Sequence, residues 1–354
     1  MHSPQSFTRR NPKQKPAPGR PASLKSLARA LGLSPATVSF VLNKSPVADS
    51  IPEETKERVF AAAKKFNYKP NFVARSLRAQ RSYIIGVVVP EVSEGYVGLV
   101  LSGIEDYLVQ EGYFYFVVSH RHKPDLIREG PELLAQRSVE GIIAVDTPCE
   151  AAHHLPVVAI SGHTEREGVT NIVLDHERAA MLALGHLHDL GHRNIAMIKG
   201  QSFSSDTEIR WQALRGEAGR LGLSMHPRLT AALEGDKPSP HAGYAAARKL
   251  LAAQMPFSAV VAFNDVSAIG AIRAIHEAGL AVPGDVSVVG FDDIPSAAYQ
   301  NPALTTVRQP LREMGKVAAR TVLARISNGI QSAYPGTLTV DPSLVVREST
   351  AKAR

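Results

Sequence analysis

Cysteine is nearly absent. Cys149 stands alone in a chain of 354 residues, so no disulfide can form within it, and folding is expected in a reducing, cytoplasmic setting. No apolar run approaches the roughly 20 residues that a membrane-spanning helix needs. Residues 1–20 are polar, basic and proline-rich and lack the apolar core of a secretory leader. No phosphate-cradling P-loop is present, no G-x-G-x-x-G follows a strand, and no Gly-x-Ser-x-Gly elbow exists, so the sequence gives no positive support for an enzyme. Cys149 has no evident paired base. Acidic residues are scarce at one end only. Residues 1–82 hold 16 Lys/Arg against 4 Asp/Glu, a net of +12, whereas the remainder holds 24 against 29, a net of −5. A basic head on a mildly acidic body points to a polyanion as partner of the head.

What is present divides the chain into a head and a body. Residues 1–21 are expected to be a disordered basic arm. Residues 22–70 read as three short helices. Leu24, Leu27, Ala28 and Leu31 share one helical face, with Ser23 as N-cap and Gly32 as terminator. Ser34 then caps a second helix with Pro35 at its first position. Val38, Val41 and Leu42 point inward, and Pro35, Ala36, Ser39, Phe40 and Asn43 form its free face. Ser50 and Glu53 are expected to make a capping box for a third helix, whose inward stripe is Val59, Ala62, Ala63 and Phe66. Two short helices around Gly32 have helix-turn-helix spacing.

From Tyr83 onward, near-continuous apolar runs alternate with helical stretches. Candidate strands are 84–89, 113–118, 141–145, 157–160, 171–174, 194–198, 259–263 and 286–289, and candidate helices include 179–190, 209–221, 244–251 and 268–278. Fully apolar strands separated by helices predict doubly wound parallel sheets, and the number of strands predicts two lobes.

The head phrase from Ser23 to Asn43, the continuation Ile51-Pro-Glu-Glu-Thr-Lys-Glu-Arg-Val59 with Asn67-Tyr-Lys-Pro70, and the segment Asn71-Phe-Val-Ala-Arg-Ser-Leu77 closely resemble the lactose-repressor/galactose-repressor family of bacterial regulators. Body phrases such as Ile85-Gly-Val-Val-Val-Pro90, Leu190-Gly-His-Arg-Asn-Ile-Ala196, Phe263-Asn-Asp265 and Val282-Pro-Gly-Asp285 extend the resemblance, and the body is also similar to periplasmic sugar-binding proteins. The resemblance implies a small all-α helix-turn-helix head plus an α/β periplasmic-binding-protein-like body of two doubly wound parallel-sheet lobes. Hinge and linker occupy 71–82 and the effector-binding and dimerisation body 83–350. Lobe 1 is expected at about 83–175 plus 309–336 and lobe 2 at about 176–308 plus 337–350, with crossings near Asp175, Arg308 and Thr337.

The resemblance also implies roles. On DNA, Ser34, Pro35, Ala36, Thr37, Ser39, Phe40 and Asn43 of the head and Ala74, Arg75, Leu77 and Arg78 of the hinge are expected to make contact, with Leu77 as a minor-groove wedge. Pro35, Ala36 and Phe40 have no side-chain hydrogen-bonding group, so they can read only thymine methyls or shape. In the body, Tyr96, Ser161, Arg210, Trp211, Asn264, Asp292 and Gln309 are expected around a small polar effector such as a sugar, with Arg210 and Asp292 on opposite sides of one cleft and Tyr96 and Trp211 as apolar walls. The implied protein is a homodimeric repressor on a near-palindromic double-stranded operator, without a membrane partner. No cofactor is implied and no metal site is assigned: His188 and His192 are four apart, but Gly191 breaks the helix between them. A solute-binding protein, or a sugar-processing enzyme, is the alternative for the body; the basic head argues against both.

Overall fold

The computed structural model describes residues 23–43, 45–68, 81–92, 95–149, 155–163, 166–235, 239–329 and 334–354. The chain forms two units, Met1–Arg81 and Ser82–Arg354. In the first, the Ser23 hydroxyl caps α1 (Leu24–Leu31) by accepting from Ser26 N at 3.1 Å. Gly32 ends the helix at φ 67°, a left-handed conformation that a side chain would oppose. Ser34 accepts from Thr37 N at 3.0 Å and starts α2 (Pro35–Leu42). Leu27, Ala28, Val38, Val41 and Val59 form the small core, with Ala62, Ala63 and Phe66 packed against it from α3 (Glu53–Lys65). The expected capping box does not form. Pro52 is the N-cap of α3, and the Ser50 hydroxyl donates to Val47 O at 2.8 Å, because Ser50 closes a 3-10 turn over Pro46–Ser50 instead.

The second unit contains two six-stranded sheets. The first runs in the order β2 (Phe114–Ser119), β1 (Ile84–Val89), β3 (Gly141–Val145), β4 (Val157–Ile160), β5 (Val169–Leu174), β11 (Thr337–Val340), all parallel. The helices of this lobe are α4 (Tyr96–Gln110), α5 (Pro124–Ala135) and α10 (Leu311–Asn328). The second sheet runs β7 (Thr230–Ala232), β6 (Ile195–Lys199), β8 (Ala259–Ala262), β9 (Ser287–Asp292), β10 (Thr305–Arg308), β12 (Ser343–Val345), with only β12 antiparallel to its neighbour. Its helices are α6 (His176–Asp189), α7 (Asp206–Arg220), α8 (Pro240–Ala252) and α9 (Asp265–Glu277).

The chain crosses between lobes after Leu174 and after Arg308. The third crossing differs from the expectation. Thr337 pairs with Asn171 and Val340 with Leu174 in the first sheet, so β11 belongs to lobe 1 and the chain crosses between Val340 and Ser343. The alternating exposure of Thr337–Val340 is that of an edge strand, half-wet on one face, which extends the first sheet at its open side.

Candidate functional site

A parallel sheet aims the carboxyl ends of its strands at one edge, and the loops there build the binding site. Here that edge carries residues in left-handed backbone: Asp146 (φ 40°) after β3, Ser161 (φ 57°) and His163 (φ 47°) after β4, and Asp292 (φ 108°) and Asp293 (φ 58°) at the end of β9. Non-glycine residues rarely hold this conformation, and it clusters where side chains are aimed at a ligand. The loops enclose a cleft of about 690 Å³ including its mouth, lined from lobe 1 by Pro90, Glu91, Tyr96, Val97, His122 and Asp146 and from lobe 2 by Gln201, Phe203, Ser204, Asp206, Arg210, Phe263, Asn264, Val266 and Asp292, with Gln309 at a crossing.

Arg210 projects from the second turn of α7 and is buried. Its guanidinium lies 4.6 Å from the Phe263 ring centre and 4.4 Å from that of Phe291. Nη1 donates to Phe263 O, and Nη2 donates to Asp206 Oδ2 at 3.0 Å. Its Nε is buried and meets no hydrogen-bond partner among the described residues. Asp292 is also buried, and burial pushes its carboxyl up to about 7 against the pull of Arg210. Its Oδ1 accepts from Gln309 Nε2 at 2.6 Å, and Gln309 Oε1 has no partner among the described residues. Arg210 and Asp292 both stand on lobe 2. The expected placement on opposite sides is therefore corrected: both follow strands of one sheet and so share one wall. Asn264 is the N-cap of α9, where its Oδ1 accepts from Ser267 N at 2.9 Å, leaving its NH₂ as the group it can offer a ligand.

Tyr96 opens α4, is half-buried, and its hydroxyl meets Ser161 Oγ at 2.8 Å. Ser161 does not reach the cleft wall; it acts on the cleft through Tyr96. Trp211 is also corrected. The residue after Arg210 points off another side of α7, so Trp211 packs on the core beneath α6 and α7, with the Lys199 ammonium 5.4 Å from its ring.

Several lining residues escaped sequence reasoning. Asp146 accepts from Ser205 N at 2.9 Å and Ser205 Oγ at 2.6 Å, and Ser205 Oγ also contacts Ser161 O, so one serine of lobe 2 clasps two strand ends of lobe 1. Burial and the nearby Asp206 raise the Asp146 carboxyl to about 6. His122 of lobe 1 lies 3.7 Å from the Phe203 ring of lobe 2. A carboxylate directly after an apolar strand was a readable signal for Asp146; Phe203 and His122 had none. Of the discounted histidines, His192 is a structural pin, with Nδ1 on Ser258 Oγ at 2.8 Å and Nε2 on Ala351 O at 3.0 Å.

In the head, Ser34, Pro35, Ala36 and Asn43 are exposed and Thr37 and Phe40 half-buried, which leaves the start of α2 with an apolar outer face. The Ser34 hydroxyl is spent on capping, contacting Thr37 Oγ1 at 2.8 Å as well as Thr37 N. Ser39, expected on the free face, is buried. It lies beside Val38 on the inner side, and Asn43 Nδ2 folds back onto its Oγ at 3.1 Å and its carbonyl at 2.8 Å. The hinge positions Ala74, Arg75, Leu77 and Arg78 lie outside the described residues.

Residues 23–71 match the bacterial regulatory proteins of the lacI family, and residues 184–350 match the periplasmic binding protein-like domain. The chain is 30% identical over 342 residues to the HTH-type transcriptional repressor PurR of Haemophilus influenzae, covering 93% of this chain and 98% of that protein. It is 31% identical over 340 residues to the PurR repressor of Mannheimia succiniciproducens, covering 94% and 99%. Among solved structures it is similar to the lac repressor dimer bound to operator and the anti-inducer ONPF (TM-score 0.83, 27% identity, 94% of this chain and 100% of that one). It is also similar to a complex of the transcriptional regulator CelR with cellobiose (TM-score 0.66, 26% identity, 93% and 99%).

Proposed function

We propose, from the premise that this chain belongs to the LacI family of bacterial regulatory proteins, that it is a homodimeric transcriptional repressor of a near-palindromic operator whose hold on DNA is set by a neutral, hydroxyl-rich effector of the sugar class. The charge of the cleft carries the effector class. Glu91, Asp146, Asp206 and Asp292 line it against one guanidinium, Arg210, which Asp206 already engages. A phosphorylated or carboxylate effector would add like charge to that surplus, whereas sugar hydroxyls donate to carboxylates and accept from the Arg210 and Asn264 donors. The cellobiose bound by one relative is in keeping with this class.

On DNA, Pro35, Ala36 and Phe40 would read methyl groups and groove shape, and phosphate contacts by the basic head would supply most of the affinity. The hinge would enter the minor groove, with Leu77 between base pairs and Ala74, Arg75 and Arg78 beside it. The test begins with selection of an operator from random duplex DNA by the full chain, followed by titrations across salt with and without a panel of sugars. Log affinity should fall steeply and linearly with log salt, and one sugar should shift the curve. Arg210→Ala should remove that shift and keep effector-free operator affinity within about threefold, an energy near the scale of RT. A flat salt dependence, or a sugar response retained by Arg210→Ala, would sink the proposal.

A further inference from the structure

On the side of Asp206 away from Arg210, three side chains that no sequence pattern links converge between the lobes. His163 comes from the loop after β4 of lobe 1, His176 from the first turn of α6, and Asp206 from the first turn of α7. The Asp206 carboxylate is divided. Oδ2 takes the hydrogen bond from Arg210, while Oδ1 lies 2.5 Å from His163 Nε2 and 3.4 Å from His176 Nε2. The three side chains are 12%, 4% and 6% exposed, and their donor atoms all fall within 4.8 Å of one another.

His176 is the odd member. It is buried, yet neither of its ring nitrogens makes a hydrogen bond among the described residues, and its approach to Asp206 is poorly aimed for one. A buried imidazole left without a partner is costly to the fold, and a ligand at this point would supply one. We propose that His163, His176 and Asp206 form a binding site for a divalent transition-metal ion of the zinc class, held between the lobes by two imidazole nitrogens and one carboxylate oxygen.

Two imidazoles and a carboxylate are a donor set of catalytic and regulatory zinc sites, with bonds of about 2.0–2.2 Å. Tetrahedral bonds of that length set neighbouring donors about 3.3 Å apart, which the His176–Asp206 separation of 3.4 Å already matches. His163 must retreat from Oδ1 by somewhat less than an ångström for the bond lengths above; it is the most exposed of the three. The protonation states suit the ion. Burial holds the His176 imidazole below its ordinary value and so neutral at pH 7. Asp206 is pushed up by burial, but the close His163 nitrogen and the Arg210 guanidinium help to hold it well below the usual carboxylate range. Arg210 becomes the outer partner that orients the carboxylate. A groove lined by His163, His176, Met181, Ile209 and Glu217 opens onto the cluster and gives an ion its path in. Because His163 belongs to lobe 1 and His176 and Asp206 to lobe 2, the metal would pin the lobes together, beside the effector cleft that Arg210, the partner of Asp206, lines.

The test uses the full chain freed of any affinity tag, with Zn²⁺ alone as probe in competition with a chromophoric chelator. One Zn²⁺ per chain should bind, and saturating Zn²⁺ should raise Tm by mass action. His163→Ala and His176→Ala should each weaken binding by more than the roughly 10–100-fold that loss of an outer-shell partner costs, and each should abolish the Tm shift. His188→Ala, outside the cluster, should change neither. If an alanine variant does not fold, His163→Gln and His176→Asn take its place with the same expectations. No stoichiometric Zn²⁺ binding, or binding unchanged in the cluster variants, overturns the proposal and leaves three side chains that share a proton.

Discussion

Asp292 shows how one residue can be suited to a ligand and badly suited to the fold. It is buried and held in left-handed backbone, and among the described residues its hydrogen-bond donor is the Gln309 amide. Burial lifts its carboxyl from 3.8 to about 7. A folded-state value above the unfolded one means that the native state binds the proton more tightly. The associated stability is whole below the unfolded value and is lost as pH rises through the folded one. The window is therefore about pH 4 to 7, and a shift of this size corresponds to up to about 4 kcal/mol. Asn keeps an acceptor for Gln309 and cannot ionise. Asp292→Asn should thus gain Tm over the wild type as pH rises from 5 to 8, while losing effector affinity by about 1.5–3 kcal/mol for a missing charged hydrogen bond. Calorimetric melts across that range, paired with effector titration, check both arms. A Tm difference that does not change with pH would mean that Asp292 is not the group that titrates. Asp146, raised to about 6, adds a slope of the same sign that the variant retains.

The elements were legible where apolar periodicity runs through them and illegible where polar residues start or border them. The helices expected at 179–190, 209–221, 244–251 and 268–278 begin three or four residues earlier, at His176, Asp206, Pro240 and Asp265. Their first turns hold caps and charges, and those turns supply His176, Asp206 and the Asn264 cap to the cleft and its surroundings. Asn264 and Arg210 were reached through resemblance; Asp206 and His176 had no such signal, because only the fold brings positions 163, 176 and 206 together. Short strands rich in threonine, β7, β10 and β11, give weak strand patterns although Thr305 and Thr306 are fully buried. Helix packing holds a constraint that no periodicity reveals. Gly103 of α4 faces the Arg312 carbonyl of α10, and a Cβ there would lie 1.9 Å from that oxygen; one on Gly315 would lie 2.1 Å from Val100 O. Both obstacles are backbone, so the helices must separate to admit a methyl group. Gly103→Ala should destabilise the body by at least the 1–3 kcal/mol typical of overpacking, roughly. Gly185, inside α6, meets nothing within 4 Å, and Gly185→Ala should instead stabilise by roughly 0.5–1 kcal/mol through helix propensity. Denaturant melts of the two variants should move in opposite directions; equal shifts would deny the close approach.

At the scale of the molecule, charge and apolar surface divide the work. The +12 head and −5 remainder separate DNA attraction from effector sensing along the chain, and a two-fold operator requires two heads. The body carries a surface suited to pairing copies. β2 is an edge strand of the first sheet, and Phe114 and Phe116, two residues apart and so on one face, are 66% and 44% exposed, with Val117 also exposed. Exposed apolar edge strands are unusual in monomers, which blunt them with charge, and the similar lac repressor is described as a dimer on its operator. Covering the two phenylalanines in a symmetric contact would remove their apolar surface from water on both copies, at about 25 cal/mol per Å² before the cost of association. Phe116→Asp, and more strongly the pair Phe114→Asp with Phe116→Asp, should convert a dimer in sedimentation experiments to a monomer with unchanged far-UV circular dichroism. Affinity for the full operator should fall toward that for a half-site, because the second head no longer binds at the high effective concentration that the dimer gives it. A double variant that still sediments as a dimer would place the interface elsewhere on the body and leave this edge without a role in assembly.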